Sequence, residues 1–150
     1  MIIGIPKELV SEDPRAPIIP ETVKKLCRLG AELIIEKSCG ETICYTDEDY
    51  QNAGAKILTD RNELLAVSDI IMRLNKPPIE EIHQLKKGCI HISFLSPFNE
   101  HKLVDALCEA EVISLSMEMI PRISRAQKMD ALSSQANLAG YAAVILAAHK

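Results

Sequence analysis

Glycine is scarce in this chain of 150 residues, and its six glycines lie far apart. The sequence therefore contains neither the G-x-G-x-x-G turn nor the G-x-x-x-x-G-K-[ST] loop, the two glycine patterns that cradle phosphate groups. If the function involves a nucleotide, this chain has to complement a phosphate-binding half that lies elsewhere.

An excess of positive charge is also missing. The formal net charge is −4, and the lysines and arginines are scattered along the sequence. A protein that binds nucleic acid needs a basic face to displace the counterions of the phosphate backbone. We therefore expect no nucleic-acid partner.

Cysteine and histidine show no metal-binding spacing. The five cysteines are an odd number, and none belongs to a C-x-x-C pair or stands with a zinc-type pair of histidines. We interpret the cysteines as reduced, buried thiols and expect no metal site.

Long apolar runs and a visible export signal are absent. The most apolar run, residues 139–148, is well short of the roughly 20 residues that cross a bilayer. The first residues, MIIGIP, are typical of a strand and carry no charged leader. We expect a cytoplasmic protein in which residues 139–148 belong to a packed helix.

What the sequence does contain is a regular alternation of two patterns. Short β-branched runs at 2–5, 33–35, 69–72, 89–92 and 111–114 alternate with segments of helical apolar spacing at 21–29, 47–53, 60–67 and 101–109. This alternation predicts right-handed βαβ crossovers. The predicted fold class is therefore α/β, with a doubly wound, flavodoxin-like (Rossmann-like), mostly parallel sheet that has helices on both faces.

Two regions follow from this pattern. We assign residues 1–126 to an N-terminal α/β domain and residues 127–150 to a long C-terminal helix lined with small residues. Ligands of doubly wound folds lie beyond the carboxyl ends of the strands. The last predicted strand leads directly into the most polar segment of the chain, residues 121–141.

This polar segment, PRISRAQKMDALSSQANLAGY, supports two interpretations. Its arginines, amides, carboxylate and hydroxyls lie within a few turns, as in a surface that binds a polar ligand. However, Ser124 followed by Gln127 also fits a capping box, in which both side chains satisfy free N–H groups at a helix start. The pattern alone favours the capping role for Gln127.

Three stretches of the sequence resemble one known family. They are IGIPKE, the segment that runs from Arg15 to PETV at 20–23, and above all residues 121–141. They resemble the N-terminal portion of the alpha subunit of proton-translocating NAD(P) transhydrogenase, and the likeness covers essentially the whole chain. The wider family includes alanine dehydrogenase and related amino-acid dehydrogenases.

The resemblance implies that this loop closes over the nicotinamide end of NAD(H). The implied cofactor-binding residues are Arg122, Ile123, Ser124, Gln127, Asp130 and Ser133. Asp130 and Ser133 suit the carboxamide or the ribose hydroxyls, whereas Arg122 is expected to pair with Asp130 and order the loop. Gln127 is expected to reach toward the second nucleotide, and Ile123 and Ser124 to contribute backbone contacts.

The resemblance also implies the reaction and the partners. Hydride would pass between NADH and NADP⁺, the latter bound on a partner domain, and this transfer would be coupled to proton translocation. The fragment alone would be inactive. The implied partners are a downstream nucleotide-binding Rossmann domain of the same subunit, a second alpha subunit, a membrane domain and an NADP(H)-binding beta subunit. The protein would lie on the cytoplasmic side of the inner membrane, attached through those partners.

An alanine dehydrogenase-type enzyme is the main alternative. That branch uses a lysine and a histidine as catalytic groups, and the matching positions here are Asn75 and Ser96. A shift of one residue in the matching would bring in Lys76, whereas His91 reads as a strand residue. Arg15 fits both branches. A third reading is a non-enzymatic, flavodoxin-like binding module.

Overall fold

The computed structural model of the protein describes residues 1–9 and 13–149, which form a six-stranded sheet and six α-helices. The strands are β1 (Ile2–Ile5), β2 (Glu32–Glu36), β3 (Lys56–Leu58), β4 (Ile70–Met72), β5 (Ile90–Ser93) and β6 (Ile113–Ser116). The helices are α1 (Pro20–Arg28), α2 (Asp47–Asn52), α3 (Arg61–Val67), α4 (Ile79–Ile82), α5 (His101–Glu109) and α6 (Ala131–His149).

The sheet is doubly wound, as predicted. All five strand pairings are parallel, and the strand order is β3-β2-β1-β4-β5-β6. This is the order of dinucleotide-binding Rossmann folds, whereas the five-stranded flavodoxin order is 2-1-3-4-5. The direction of winding reverses between β1 and β4, so the ligand crevice of such folds would lie beyond these two strands.

The two directions of winding place the helices on opposite faces. Steps from β1 to β3 run one way across the sheet, and right-handed crossovers therefore put α1 and α2 on one face. Val23 of α1 and Tyr50 of α2 pack there against Ile5 and Leu33. Steps from β3 to β6 run the other way and put α3, α4 and α5 on the second face, where Leu64 of α3 packs in a separate core cluster.

This topology leaves part of the first face uncovered. No helix among the described residues lies over β5 and β6 on the side of α1 and α2. Ile113 and Leu115 of β6 are consequently 55% and 52% exposed. None of the 19 residues of helix α6 is buried, although the helix is long and apolar enough to span a membrane, with a mean hydropathy of 1.2. Apolar helices that pack inside soluble proteins can be as long and as apolar.

Some predicted elements need correction. β3 was missed because it is a three-residue edge strand with little burial, and α4 was missed because it is a single turn. The strand expected at 111–114 forms two residues later, since Glu111 adopts a positive φ of 53° in the preceding turn. The last helix begins at Ala131 instead of at residue 127, and Lys150 lies outside the described residues.

The cysteines are more exposed than expected. All five are free. Cys39 and Cys89 are buried, and burial raises the pKa values of their thiols to about 12 and about 11. Cys44 and Cys108 are exposed, so the prediction of burial is wrong for these two.

A chain of ion pairs fixes α3 and α4 to the carboxyl ends of the strands. Arg61 of α3 lies 2.5 Å from Glu36 at the end of β2 and 2.8 Å from Glu81 of α4. Glu81 also accepts a hydrogen bond of 2.7 Å from Arg73, whose side chain is only 2% exposed. Each buried charge thus has an opposite partner, as low-dielectric surroundings require.

Gly4 in β1 tests the packing between the sheet and α3. A Cβ atom there would lie 2.2 Å from Ser68 Oγ and 2.9 Å from Leu64 Cδ2. We expect Gly4→Ala to lower the free energy of unfolding by about 1–3 kcal/mol, as overpacked cores do. Gly140→Ala in α6 is the control, because no described atom lies within 4 Å of a Cβ added there. Urea denaturation in which both variants lose the same stability would contradict this packing.

Glu81 gives the ion pairs a pH dependence. Burial opposes ionisation of Glu81, but hydrogen bonds from Arg61 and Arg73 lower the pKa of its carboxyl overall. Because the folded pKa lies below the unfolded value of about 4.3, this stabilisation is complete above that value and is lost as the pH falls through the folded pKa.

We therefore expect Glu81→Gln to cost about 3 kcal/mol at pH 7, since it leaves two arginines without their carboxylate. The difference from the unsubstituted chain should shrink between pH 5 and pH 3 in chemical denaturation. The exposed neighbour Glu80→Gln is the matched control and should change stability by less than about 0.5 kcal/mol. A loss at Glu81 that does not vary with pH would show that its charge is unimportant.

Candidate functional site

The predicted site residues lie on the loop that leaves β6 and on the first turn of α6. We call residues 117–130 the β6–α6 loop. It contains a 3₁₀ turn at Met117–Met119 and a six-residue 3₁₀ helix at Ser124–Met129. The side chains of Arg122, Ile123 and Gln127 are exposed to solvent. The loop therefore presents cationic, amide and apolar groups together at the carboxyl edge of the sheet.

Asp130 and Ser133 are in direct contact. One oxygen of Asp130 accepts a hydrogen bond of 2.9 Å from the Ser133 amide, and the other accepts one of 2.5 Å from the Ser133 hydroxyl. These bonds, followed by the charge of Arg122, keep the pKa of the Asp130 carboxyl below its ordinary value. Asp130 is thus an ionised cap at the start of α6, a position where carboxylates favour helix formation.

This cap replaces the one predicted from the sequence. Ser124 and Gln127 make no side-chain hydrogen bond with any described residue, and the 3₁₀ helix begins without a side-chain cap. The capping-box interpretation is therefore wrong, and both side chains stay available for other contacts.

Arg122 does not form the expected ion pair. Its charge lowers the pKa of Asp130, but within residues 13–149 Asp130 directs its two oxygens to Ser133. The guanidinium of Arg122 consequently remains exposed. The structure brings Asp130 and Ser133 together and leaves Arg122, Ser124 and Gln127 facing solvent nearby.

Glu118 was overlooked by sequence analysis, although it follows β6 by only two residues. Its carboxylate accepts hydrogen bonds from the backbone amides of Leu95 (3.3 Å) and Ser96 and from the Ser116 hydroxyl (2.6 Å). Burial alone would raise the pKa of Glu118, but these bonds lower it overall. Glu118 thereby joins the β6–α6 loop to the loop after β5.

A second carboxylate, that of Glu8, lies in the crevice between β1 and β4. Glu8 accepts hydrogen bonds from the amides of Leu74 (2.5 Å) and Asn75 (3.2 Å), which follow β4. The pair of main-chain donors that would hold an anion at the reversal point of the sheet is therefore occupied by the chain itself.

Arg15 is likewise occupied. Asp13 holds the guanidinium at 2.8 Å and 2.7 Å in a bidentate ion pair, and this pairing lowers the pKa of Asp13 to about 2. The remaining arm of Arg15 lies 3.5 Å from the side-chain oxygen of Gln135 in α6. Arg15 therefore links the loop after β1 to the helix that carries Ser133.

Asn75, and not Lys76, occupies the inner position of the loop after β4. The Asn75 amide donates to Glu8 at 3.1 Å and to Asp13 at 3.4 Å. Lys76 is exposed and pairs with Glu100. His91 is a fully buried residue of β5, and Ser96 is exposed with a φ of 51°. At the β1–β4 crevice, the side chain that contacts Glu8 and Asp13 is therefore that of Asn75.

An apolar groove of about 660 Å³ runs beneath the β6–α6 loop. It lies on the uncovered face of the sheet, and its lining residues include Ile92, Leu115, Met117, Ile120 and Met129. The polar edge of the loop therefore borders a surface suited to a flat apolar group.

Sequence comparison assigns this arrangement to a family. Residues 4–139 match the model of the alanine dehydrogenase/PNT N-terminal domain. The chain belongs to that family. It is 41% identical over 150 residues to the NAD(P) transhydrogenase subunit alpha of Haemophilus influenzae, and this match covers 100% of this chain and 29% of that protein.

A solved transhydrogenase from Sinorhizobium meliloti has the same fold as this family member. The two superpose with a TM-score of 0.92 at 37% identity, which covers 99% of this chain and 44% of that one. The alanine dehydrogenase of Staphylococcus saprophyticus is 38% identical over 120 residues, or 80% of this chain and 32% of that protein. The chain thus corresponds to the N-terminal domain of transhydrogenase alpha subunits and spans less than half the length of these relatives.

The cap at Asp130 can be tested without a cofactor. Asp130→Ala should speed amide hydrogen exchange in the first turn of α6, because the Ser133 amide loses its acceptor. Asp130→Asn should leave that exchange nearly unchanged, since asparagine caps helices about as well as aspartate does. Equal exchange in the alanine variant and the unsubstituted chain, measured by mass spectrometry, would show that the cap does not hold this turn.

Proposed function

We propose that this chain is the N-terminal domain of the NAD(H)-binding alpha subunit of a proton-translocating NAD(P) transhydrogenase. Its β6–α6 loop covers the nicotinamide end of NAD(H) and aligns it with NADP(H) on a partner domain. The family match and the 41% identity to a transhydrogenase alpha subunit support this assignment.

The exposed, unpaired side chains of the β6–α6 loop carry the proposal. At the β1–β4 crevice, the backbone amides of Leu74 and Asn75 already donate to the carboxylate of Glu8 and are not free to bind a ligand. Arg122 and Gln127, in contrast, project into solvent without a partner among residues 13–149. Of these two places, the loop is the one that offers free side-chain polar groups to a ligand.

The donor set fits one end of a nicotinamide dinucleotide. The Ser133 hydroxyl and the Asp130 carboxylate suit a carboxamide or ribose hydroxyls, and the adjoining apolar groove suits a flat ring. The pyrophosphate has no cradle here, because the described glycines form no phosphate-binding turn before a helix. A downstream Rossmann domain of the same subunit would supply that part of the site.

Hydride transfer between two nicotinamide rings depends on their alignment and needs no general acid. When both nucleotides are bound, a hydride with its electron pair leaves the reduced ring and joins the oxidised ring, so one is oxidised, the other is reduced and no proton is exchanged. The loop has to hold the reacting carbons about 3–3.5 Å apart and exclude water. Asp130 is suited to orient a ligand and not to donate a proton, because its lowered pKa keeps it ionised at neutral pH.

The complete enzyme requires several partners. We propose a second alpha subunit, a membrane domain and an NADP(H)-binding beta subunit, with this domain held at the cytoplasmic side of the inner membrane through them. The uncovered face of β5 and β6 and helix α6, which has no buried residue, offer apolar surface for such contacts.

An alanine dehydrogenase is the second candidate, favoured by the 38% identity to the Staphylococcus saprophyticus enzyme. Reduction of an imine requires a proton donor and a free cation for the substrate's carboxylate. At the β1–β4 crevice Asn75 takes the inner position and Asp13 neutralises Arg15. NADH oxidation that depends on pyruvate and ammonia separates the two candidates, since robust turnover would rule out the transhydrogenase.

Arg122 tests the proposed function directly. In the complete enzyme we expect Arg122→Ala to lower hydride transfer between NADPH and a nicotinamide-analogue dinucleotide by about tenfold or more, which corresponds to about 1.4 kcal/mol of lost stabilisation. The melting temperature should hardly change, because the side chain is exposed.

Lys128→Ala is the matched control, because it removes the same charge from the same exposed loop. It should retain most of the hydride transfer. Equal losses in both variants would mean that loop charge in general matters and not the contact of Arg122. A parallel loss of melting temperature and activity at Arg122 would make that residue structural.

A further inference from the structure

Among the residues that the structure describes, Glu118 is the one in the β6–α6 loop whose side chain forms hydrogen bonds to another part of the fold. Its carboxylate joins residue 118 to the amides of Leu95 and Ser96 and to the hydroxyl of Ser116. The other side-chain hydrogen bonds of loop residues 117–130 run between Asp130 and Ser133, at the far end of the loop.

Few other contacts hold this loop. Within the described loop, only Ala126 is buried, at 5% exposure. Residues 121–125 are all exposed. The described backbone hydrogen bonds of the loop connect residues only two to four positions apart, so none of them reaches the sheet. The base of the loop therefore depends on Glu118 for its position relative to the sheet.

Ser96, one of the two residues whose amides bind Glu118, has an unusual backbone conformation. Ser96 has a φ of 51°, a left-handed conformation that non-glycine residues adopt at a cost in energy. The amide of Ser96 and that of the preceding Leu95 both donate to the one carboxylate of Glu118. Hydrogen bonds from backbone amides to an ionised acceptor are stronger than neutral ones, and Glu118 is partly shielded from water.

The distance along the chain from Glu118 to the site is short. Arg122 follows it by four residues, and Pro121 between them has a fixed φ. A movement of residue 118 is therefore passed on to Arg122 instead of being absorbed by a long linker. A displacement of about 1 Å at reacting groups can cost about a hundredfold in rate.

We propose that Glu118 is a positioning residue for hydride transfer: it anchors the β6–α6 loop to the loop after β5, so that Arg122 and Gln127 stand where the nicotinamide binds. This inference rests on the proposed function. It assigns Glu118 no contact with the cofactor, and its effect is on the geometry of the loop.

Glu118→Gln in the complete enzyme provides the test. Glutamine keeps the shape of the side chain but replaces one acceptor oxygen by an N–H donor, which would face the amides of Leu95 and Ser96. Glu109→Gln is the matched control, because it makes the same change at an exposed site at the end of α5.

Two readouts are needed. Hydrogen exchange should become faster in peptides from residues 117–130 of Glu118→Gln and stay unchanged in peptides from β1 and β2. The rate constant for hydride transfer should fall about tenfold, while the dissociation constant for NADH should rise less than about threefold. Glu109→Gln should match the unsubstituted enzyme in both measurements.

Ser116→Ala is a milder second variant, which keeps the inference testable if Glu118→Gln does not fold. It removes only the hydroxyl that orients Glu118 and should show both effects in the same direction but to a smaller extent.

Unchanged exchange in residues 117–130, or equal rates for Glu118→Gln and Glu109→Gln, would overturn the inference while leaving the proposed function intact. If the unsubstituted enzyme transfers no hydride, the proposed function fails and the role in positioning fails with it. Faster exchange in residues 117–130 would in that case still show that Glu118 anchors the loop.

Discussion

The carboxylates of Glu8 and Glu118 determine which part of this domain can bind a ligand. Each holds two consecutive backbone amides at the carboxyl end of a strand, Glu8 after β4 and Glu118 after β5. These are the positions at which doubly wound folds usually receive ligands. The chain fills these amides itself, whereas Arg122 and Gln127 of the β6–α6 loop are exposed. The contacts of Glu118 also support that loop.

The sheet topology explains why the loop stands beside an open surface. Three helices cover the second face and two cover the first, so the described residues leave β5 and β6 bare on the side where the loop crosses. The exposed apolar residues of β6 and α6 and the groove beneath the loop belong to this surface. A domain of this kind is suited to form one wall of a site, while a phosphate-binding domain forms the other.

The sequence predicted the repeated elements better than the single contacts. β1, β2, β4 and β5 are buried β-branched runs whose pattern is set by the core, whereas the edge strand β3 has little burial and thus no pattern to detect. Ser124 and Gln127 had the spacing of a capping box, but α6 begins at Ala131, and the preceding Asp130 accepts the hydrogen bond from the Ser133 amide. The role of Glu118 depends on the neighbouring loop after β5, which lies about twenty residues away in the sequence and next to it only in the fold.

The central claim is that the β6–α6 loop lies over the nicotinamide ring and aligns it. A crystal structure of the complete alpha subunit with NADH and its NADP(H)-binding partner tests this most directly. The account predicts polar atoms of Arg122, Gln127, Asp130 or Ser133 within hydrogen-bonding distance of the nicotinamide ribose or carboxamide. A bound NADH with its ring placed and shielded by other elements, and this loop turned away in every copy, would contradict it.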